Sequence, residues 1–174
     1  MQRLKIVFSG PMGAGKTQAI ATLSDIPVVS TEVQNTDLDT NAKLLTTVGM
    51  DYGELSLEGG TSIGLYGTPG QERFSFIWPI LSNGALGVVI LIDHSAADSL
   101  ADLENYLTTF DKIYDGRIVV GISQVDKKPE REFAIYRDWL DKQGRNLPVF
   151  PVDMRKREDV LLLVESIISS LEQS

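Results

Sequence analysis

The sequence has no cysteine, a single histidine (His94) and two tryptophans, and it is short of cations: Lys+Arg 16 stand against Asp+Glu 24, for a net charge of −8. Without cysteine there is no disulfide, no thiolate metal site and no attachment point for a prenyl or palmitoyl chain. The excess of acid argues against sequence-independent binding to nucleic acid or to an anionic membrane surface, both of which need a field of positive charge. An anionic phosphate ligand would have to be held by local geometry instead. No apolar run is long enough to span a bilayer, Met1-Gln2-Arg3-Leu4 runs into an apolar segment without a signal-peptide core, and Gln2 is not the glycine that myristoylation requires. A cytoplasmic protein with no lipid anchor is the expectation. No internal repeat or low-complexity linker divides the chain, and 174 residues with 43% hydrophobic side chains suffice for one domain, 1–174, with a full core.

What is present is concentrated near the start. Gly10-Pro11-Met12-Gly13-Ala14-Gly15-Lys16-Thr17 fits the phosphate-loop pattern G-x-x-x-x-G-K-[ST] at every fixed position. Leu4-Lys5-Ile6-Val7-Phe8-Ser9 before it reads as a strand, and Gln18 to Leu23 after it as the first turns of a helix. Gly10, Gly13 and Gly15 allow backbone conformations closed to other residues, so that successive N–H groups, Ala14 among them, can turn inward around a phosphate. The positive end of the following helix points at the same place. Lys16 would put a point charge on the terminal phosphates, and the Thr17 hydroxyl would offer a hard oxygen ligand to Mg²⁺.

Further on, apolar strands alternate with helical stretches, the pattern of an α/β fold with a mainly parallel sheet covered on both faces. Six strands are expected: Leu4 to Ser9, Val48 to Leu57, Ser62 to Tyr66, Ala85 to Asp93, Arg117 to Ile122 and Val149 to Val152. The second and third are joined at Glu58-Gly59-Gly60-Thr61, a hairpin signal that makes one edge strand antiparallel. Residues 24–46, rich in small polar side chains, read as a long functional loop. Helices are expected over Asp98 to Tyr114, from Pro129 through Gln143 with Gly144 as the stop, and over Arg157 to Leu171 with Val160, Leu161, Val164, Ile167 and Ile168 as its buried stripe. His94 follows a buried strand and reads as structural. Phe74, Phe76, Ile77 and Trp78 cluster with helical spacing and read equally as core or as a partner surface.

A phosphate loop alone does not choose a reaction. Gly67-Thr68-Pro69-Gly70-Gln71-Glu72-Arg73-Phe74 does more: here the chain resembles the Ras-like small GTPases, in which a G-Q-E-R-F stretch opens the second switch loop. Thr46-Thr47-Val48-Gly49 looks like their first switch, Ser123-Gln124-Val125-Asp126 lies where the family reads guanine, and Val152-Asp153-Met154-Arg155 where a second loop backs the base. The Thr68-Pro69-Gly70-Gln71 form and the missing lipid tail are more similar to the bacterial, MglA-related gliding-motility type than to the eukaryotic signalling members. The resemblance implies a P-loop NTPase fold of the small G-protein kind, a Mg²⁺-dependent GTPase that is slow without a partner, GTP and GDP as ligands, a protein effector, and a roadblock-type regulator. It implies Thr17 and Thr47 as metal ligands, Thr46 competing for the second role, Gln71 as the group that orients the attacking water, and Gly70 as a backbone donor to the γ-phosphate. Gln124, Asp126, Asp153 and Met154 would surround the base, with Asp126 accepting two hydrogen bonds from guanine.

Three departures stand beside the matches. Gly67 occupies the place where Ras-like proteins carry an aspartate that holds Mg²⁺ through water, which leaves Asp51 or Asp37 as substitutes. Ser123 and Gln124 replace an asparagine that ties the loop and a lysine whose stem covers the base. Met12 adds bulk where many Ras-type loops keep glycine and would hamper an arginine supplied by a partner; Arg73 is a cation that the chain itself would bring. Two other readings therefore remain. A P-loop small-molecule kinase should show clustered substrate-clamping arginines, whereas Arg3, Arg73, Arg117, Arg131, Arg137, Arg145, Arg155 and Arg157 are scattered. A non-hydrolysing nucleotide-binding scaffold would follow from Gly67, Ser123 and Gln124, and multiple-turnover phosphate release separates it from a GTPase.

Overall fold

In the computed structural model, residues 4–34, 47–70 and 72–173 are described. The chain runs β1 (Leu4–Ser9), α1 (Lys16–Leu23), β2 (Val29–Gln34), β3 (Thr47–Ser56), β4 (Ser62–Gly67), α2 (Trp78–Ser82), β5 (Gly87–Asp93), α3 (Ser99–Ile113), β6 (Arg117–Ser123), α4 (Ala134–Lys142), β7 (Val149–Pro151) and α5 (Arg157–Glu172). The strands form one sheet in the order β2-β3-β4-β1-β5-β6-β7. β1 is parallel to both β4 and β5, and β5-β6-β7 continue parallel, while the antiparallel pairings β2-β3 and β3-β4 lie at one edge.

Alternation along the central strands explains the three layers. In β5, Val88, Ile90 and Ile92 face one side and join Leu103, Leu107 and Phe110 of α3, Trp78 and Leu81 of α2, and Tyr136 and Leu140 of α4. Val89 and Leu91 face the other side and join Ile6, Phe8, Ala19, Ile20 and Leu23, together with Val160, Leu163, Val164 and Ile167 of α5. A strand buried on both faces reads as an unbroken apolar run, as GVVILID does. Because every parallel strand of this set ends at the same edge, the loops after β1, β4, β6 and β7 gather there, where α/β sheets bind ligands.

The sheet has seven strands, one more than the six expected, because Val29–Gln34 pairs with β3 inside the stretch read as loop. Val29 at its start is exposed, and the polar-rich segment carries a weak hydrophobic signal; the ladder to β3, not the pattern, makes it a strand. The loop expected at residues 35–46, with Asp37 and Thr46, lies outside the described residues. The fourth long helix begins at Ala134 and not at Pro129. Lys128 before Pro129 is non-helical at φ −135° and ψ 70°, Arg131 N–H closes a turn on the Lys128 carbonyl at 3.1 Å, and the Arg131 guanidinium holds that turn to the carbonyls of His94 and Ala96. His94 is fully buried between the Tyr136 hydroxyl (2.6 Å) and the Arg131 carbonyl (3.1 Å), the structural role expected of it. Phe74, Ile77 and Trp78 belong to the core, whereas Phe76 and Ile80 are exposed.

Candidate functional site

The loop between β1 and α1 is built on glycines with left-handed or otherwise positive φ: Gly13 at 80° and Gly15 at 102°, preceded by Gly10 at 149°. A Cβ at Gly10 would lie 2.2 Å from the Leu91 carbonyl oxygen, so the loop closes directly onto β5. At Gly15 a Cβ would meet the Met154 side chain at 2.9 Å. Lys16 bends back and donates to the carbonyls of its own loop, Gly10 and Pro11, the latter at 2.7 Å. Burial lowers its pKa from 10.5 to about 8, and the nearby Asp51 carboxylate opposes that shift. An ammonium desolvated in this way gains most from an anion that can replace its carbonyl partners.

Gly70 seats against the same group. A Cβ there would lie 2.7 Å from the Met12 amide nitrogen and 2.8 Å from Lys16 Nζ, so the chain after β4 approaches the phosphate loop as only glycine can. Its approach is fixed upstream by Thr68, whose N–H donates to the Phe8 carbonyl and whose hydroxyl donates to Ser9 Oγ at 2.9 Å. Trp78 Nε1 donates to the Pro69 carbonyl at 3.3 Å. Gln71 lies outside the described residues. Thr47 opens β3, and its side chain is likewise outside them.

Thr17 is exposed in the first turn of α1, and its hydroxyl donates to Asp51 Oδ2. Hydroxyl and carboxylate oxygens are the donor set of a hard divalent cation. Among the described residues no group of three or more histidine or acidic side chains forms a cage, so a cation here would depend on phosphate oxygens and water for most of its ligands.

Beside the phosphate loop lies a cavity of about 690 Å³. Ala14, Gly15, Gln124, Asp126, Asp153 and Met154, all expected at a nucleotide site, line it together with Lys127 and Arg155. The loop tie expected to be lost with asparagine is made by Ser123, whose buried hydroxyl donates to the Ala14 carbonyl at 3.1 Å. A one-carbon hydroxyl suffices because the end of β6 runs close beside the phosphate loop, a proximity no sequence pattern displays. Gln124 has φ 59°, the one left-handed residue other than glycine among those described, a strain that commonly marks functional loops. Met154 is buried against Gly15, and its carbonyl accepts from Thr22 Oγ1 at 2.6 Å. The Asp153 carboxylate is taken by Arg155, which donates Nε at 3.0 Å and Nη2 at 2.9 Å and holds the carboxyl at a pKa of about 2. The sequence places Arg155 in the loop behind the base but gives it no role; its pairing with Asp153 is visible only in the structure. Asp126 is exposed and near enough to act on the Arg155 charge.

Residues 27–144 match the family described as "Conserved hypothetical ATP binding protein". That span begins after the phosphate loop and stops before Asp153. The chain is also similar to the "Ras-related protein Rab-18-B" of Danio rerio, 30% identical over 108 residues that cover 60% of this chain and 46% of that protein. To the "Ras-related protein Rab-18" of Lymnaea stagnalis it is 29% identical, over 64% of this chain and 52% of that protein. To the "GTP-binding protein ypt1" of Schizosaccharomyces pombe it is 27% identical, over 90% of this chain and 73% of that protein. The match thus spans about half the length of the first two relatives.

Proposed function

The chain belongs to the family of conserved hypothetical ATP-binding proteins, and from that premise, together with the phosphate loop, we propose that it is a small GTPase, a nucleotide-controlled switch contained in one G domain, residues 1–174. The observation that carries this reading is the seat of Gly70 against Lys16 and the Met12 amide. A second loop of G-Q-E-R-F type is thereby brought to the phosphate loop, where a terminal phosphate can hold both. Relatives named as Ras-related and GTP-binding support the same choice.

Phosphoryl transfer needs little covalent help, so the protein's part is to position groups and stabilise charge. Lys16 and the backbone N–H groups of Gly13, Ala14, Gly15 and Gly70 bind and orient the triphosphate. Gln71 orients the water that attacks the γ-phosphorus as the bond to the β-phosphate oxygen breaks, giving GDP and phosphate. Thr17 and Thr47 would hold Mg²⁺, which supplies positive charge to the phosphate oxygens when bound. Loss of the γ-phosphate removes the contacts of Thr47 and of Gly70, and that loss is the switch. At the other end Asp126 accepts from guanine N1–H and the N2 amino group, with Gln124, Asp153 and Met154 framing the ring. Asp126 supports guanine because a carboxylate facing adenine is left unpaired. The family description names ATP, which gives a second reading with adenine in the same seat.

A roadblock-type regulator and the bacterial gliding-motility type follow from Thr68-Pro69-Gly70-Gln71 by resemblance; exposed Phe76 and Ile80 would serve an effector. Cytoplasmic location belongs to the same reading; among the described residues no helix is long and apolar enough to cross a membrane. The test is chromatography of nucleotide released by denaturing freshly purified protein, followed by phosphate release from GTP and ATP by wild type and Gln71→Leu. GDP or GTP in the released fraction, with turnover slowed in the variant at near-unchanged affinity, is expected. Released adenine nucleotide would give the site to ATP, and no turnover under any condition would make the chain a scaffold.

A further inference from the structure

Resting on the GTPase reading, we propose that Asp51 of β3 is the carboxylate that organises the Mg²⁺ site, acting on metal-bound water from the strand beside the phosphate loop. Position 67, at the end of β4, has no side chain to offer. In the antiparallel register Asp51 lies directly opposite Gly67, so the two positions share one face of the sheet at the edge that meets the phosphate loop. A Cβ built on Gly67 would stand 3.4 Å from Asp51 Cβ and 3.7 Å from Asp51 Oδ2. The Asp51 carboxylate therefore fills the space that a side chain from position 67 would enter.

Its neighbours are those a cation site needs. Oδ2 accepts from the Thr17 hydroxyl, the group that would turn an oxygen toward the metal, and the carboxylate acts electrostatically on Lys16. Ser30 Oγ approaches Oδ1 at 3.4 Å from β2. Mg²⁺ keeps several waters and is bound through one or two carboxylates together with substrate phosphates. A single carboxylate poised beside the Thr17 hydroxyl meets that requirement, and residues that hydrogen-bond to a metal's ligands are worth about 10–100-fold in metal affinity. Asp51 is thus a positioning residue, and it acts through water and Thr17.

The register pairing supplies the experiment. Retention of a fluorescent GDP is titrated against Mg²⁺ in wild type, in the isosteric Asp51→Asn, and in the exchange variant Asp51→Gly/Gly67→Asp, with the melting temperature of each GDP complex followed over the same titration. The exchange moves the carboxylate to the partner strand and removes the Asp51 Cβ that would crowd it. Ile20 Cδ1, 3.0 Å from the new Cβ, is the flexible end of a side chain that can shift. Asp51→Asn should raise the Mg²⁺ concentration for half-maximal retention by about tenfold or more, and the exchange should recover most of that loss. An Asp51→Asn midpoint equal to wild type, or wild-type retention indifferent to Mg²⁺, would overturn the assignment while leaving guanine binding intact. Wild type that retains no GDP at any Mg²⁺ concentration would instead overturn the reading on which it rests.

Discussion

On the proposed GTPase reading, the phosphate end and the base end of the site are made in different ways. At the phosphate end recognition rests on backbone: positive φ at Gly13 and Gly15, a Gly70 with no room for a Cβ, and a lysine pressed against its own carbonyls. At the base end it rests on side chains that are half-exposed or paired with one another, as Asp153 is with Arg155. A phosphate is a symmetric anion that any correctly curved loop can cradle, so its site needs a fixed main chain. A purine must be distinguished by one edge, which needs one particular acceptor and tolerates change around it. The phosphate end should therefore break abruptly on mutation and the base end by degrees.

The largest expected effect is at Lys16. Lys16→Ala should weaken GTP by about a hundredfold or more, as truncation of one partner in a buried charge pair does, with the far-ultraviolet circular dichroism unchanged; titration with a fluorescent nucleotide measures it. Next is Gly70→Ala, whose Cβ must displace the Met12 amide or Lys16 Nζ. An overpacking cost of about 1–3 kcal/mol corresponds to roughly tenfold or more in affinity, and an unaltered dissociation constant would remove Gly70 from the site.

At the base end, Asp126→Asn should weaken GTP and improve XTP relative to it. Xanthine carries a carbonyl where guanine carries the amino group, and the change should be about tenfold, in keeping with 1–3 kcal/mol for one unpaired polar group. Dissociation constants for GTP, XTP and ATP in both proteins decide it, and an unchanged XTP/GTP ratio would exclude Asp126 from base recognition.

A smaller effect comes from pH. Burial places Lys16 at about 8, below its ordinary 10.5, so the ligand-free fold bears a penalty for the charged ammonium that is full below pH 8 and fades toward pH 10.5. Nucleotide phosphates favour the charged form, so binding should take up a proton above pH 8 and GTP affinity should fall several-fold between pH 8 and 9. Calorimetry in buffers of different ionisation enthalpy counts that proton. The smallest effect is Ser123→Ala, which loses the bond to the Ala14 carbonyl and should cost about 1 kcal/mol in thermal or denaturant unfolding, with affinity reduced only a few-fold.

The sequence alone determined the phosphate loop, the alternation of strands and helices and the apolar run of β5; of the stripe expected in α5, Val160, Val164 and Ile167 are buried, Leu161 and Ile168 are half-buried, and Leu163 is buried beside them. Each depends on residues near one another in the chain, whose spacing directly encodes backbone conformation or one buried face. The tertiary structure decided what depends on partners far apart in sequence. β2 is a strand because β3 lies beside it, α4 starts at Ala134 because Arg131 is tied to the carbonyls after β5, and the Ser123 hydroxyl ties the loops because β6 brings it to the Ala14 carbonyl. Asp51 was one of two candidate carboxylates in the sequence, sixteen positions from Gly67; only the antiparallel register of β3 and β4 sets the two opposite each other and aims that carboxylate at Thr17. A hydrogen-bonded ladder fixes such pairings to within a single residue, and a linear chain has no local signal for them.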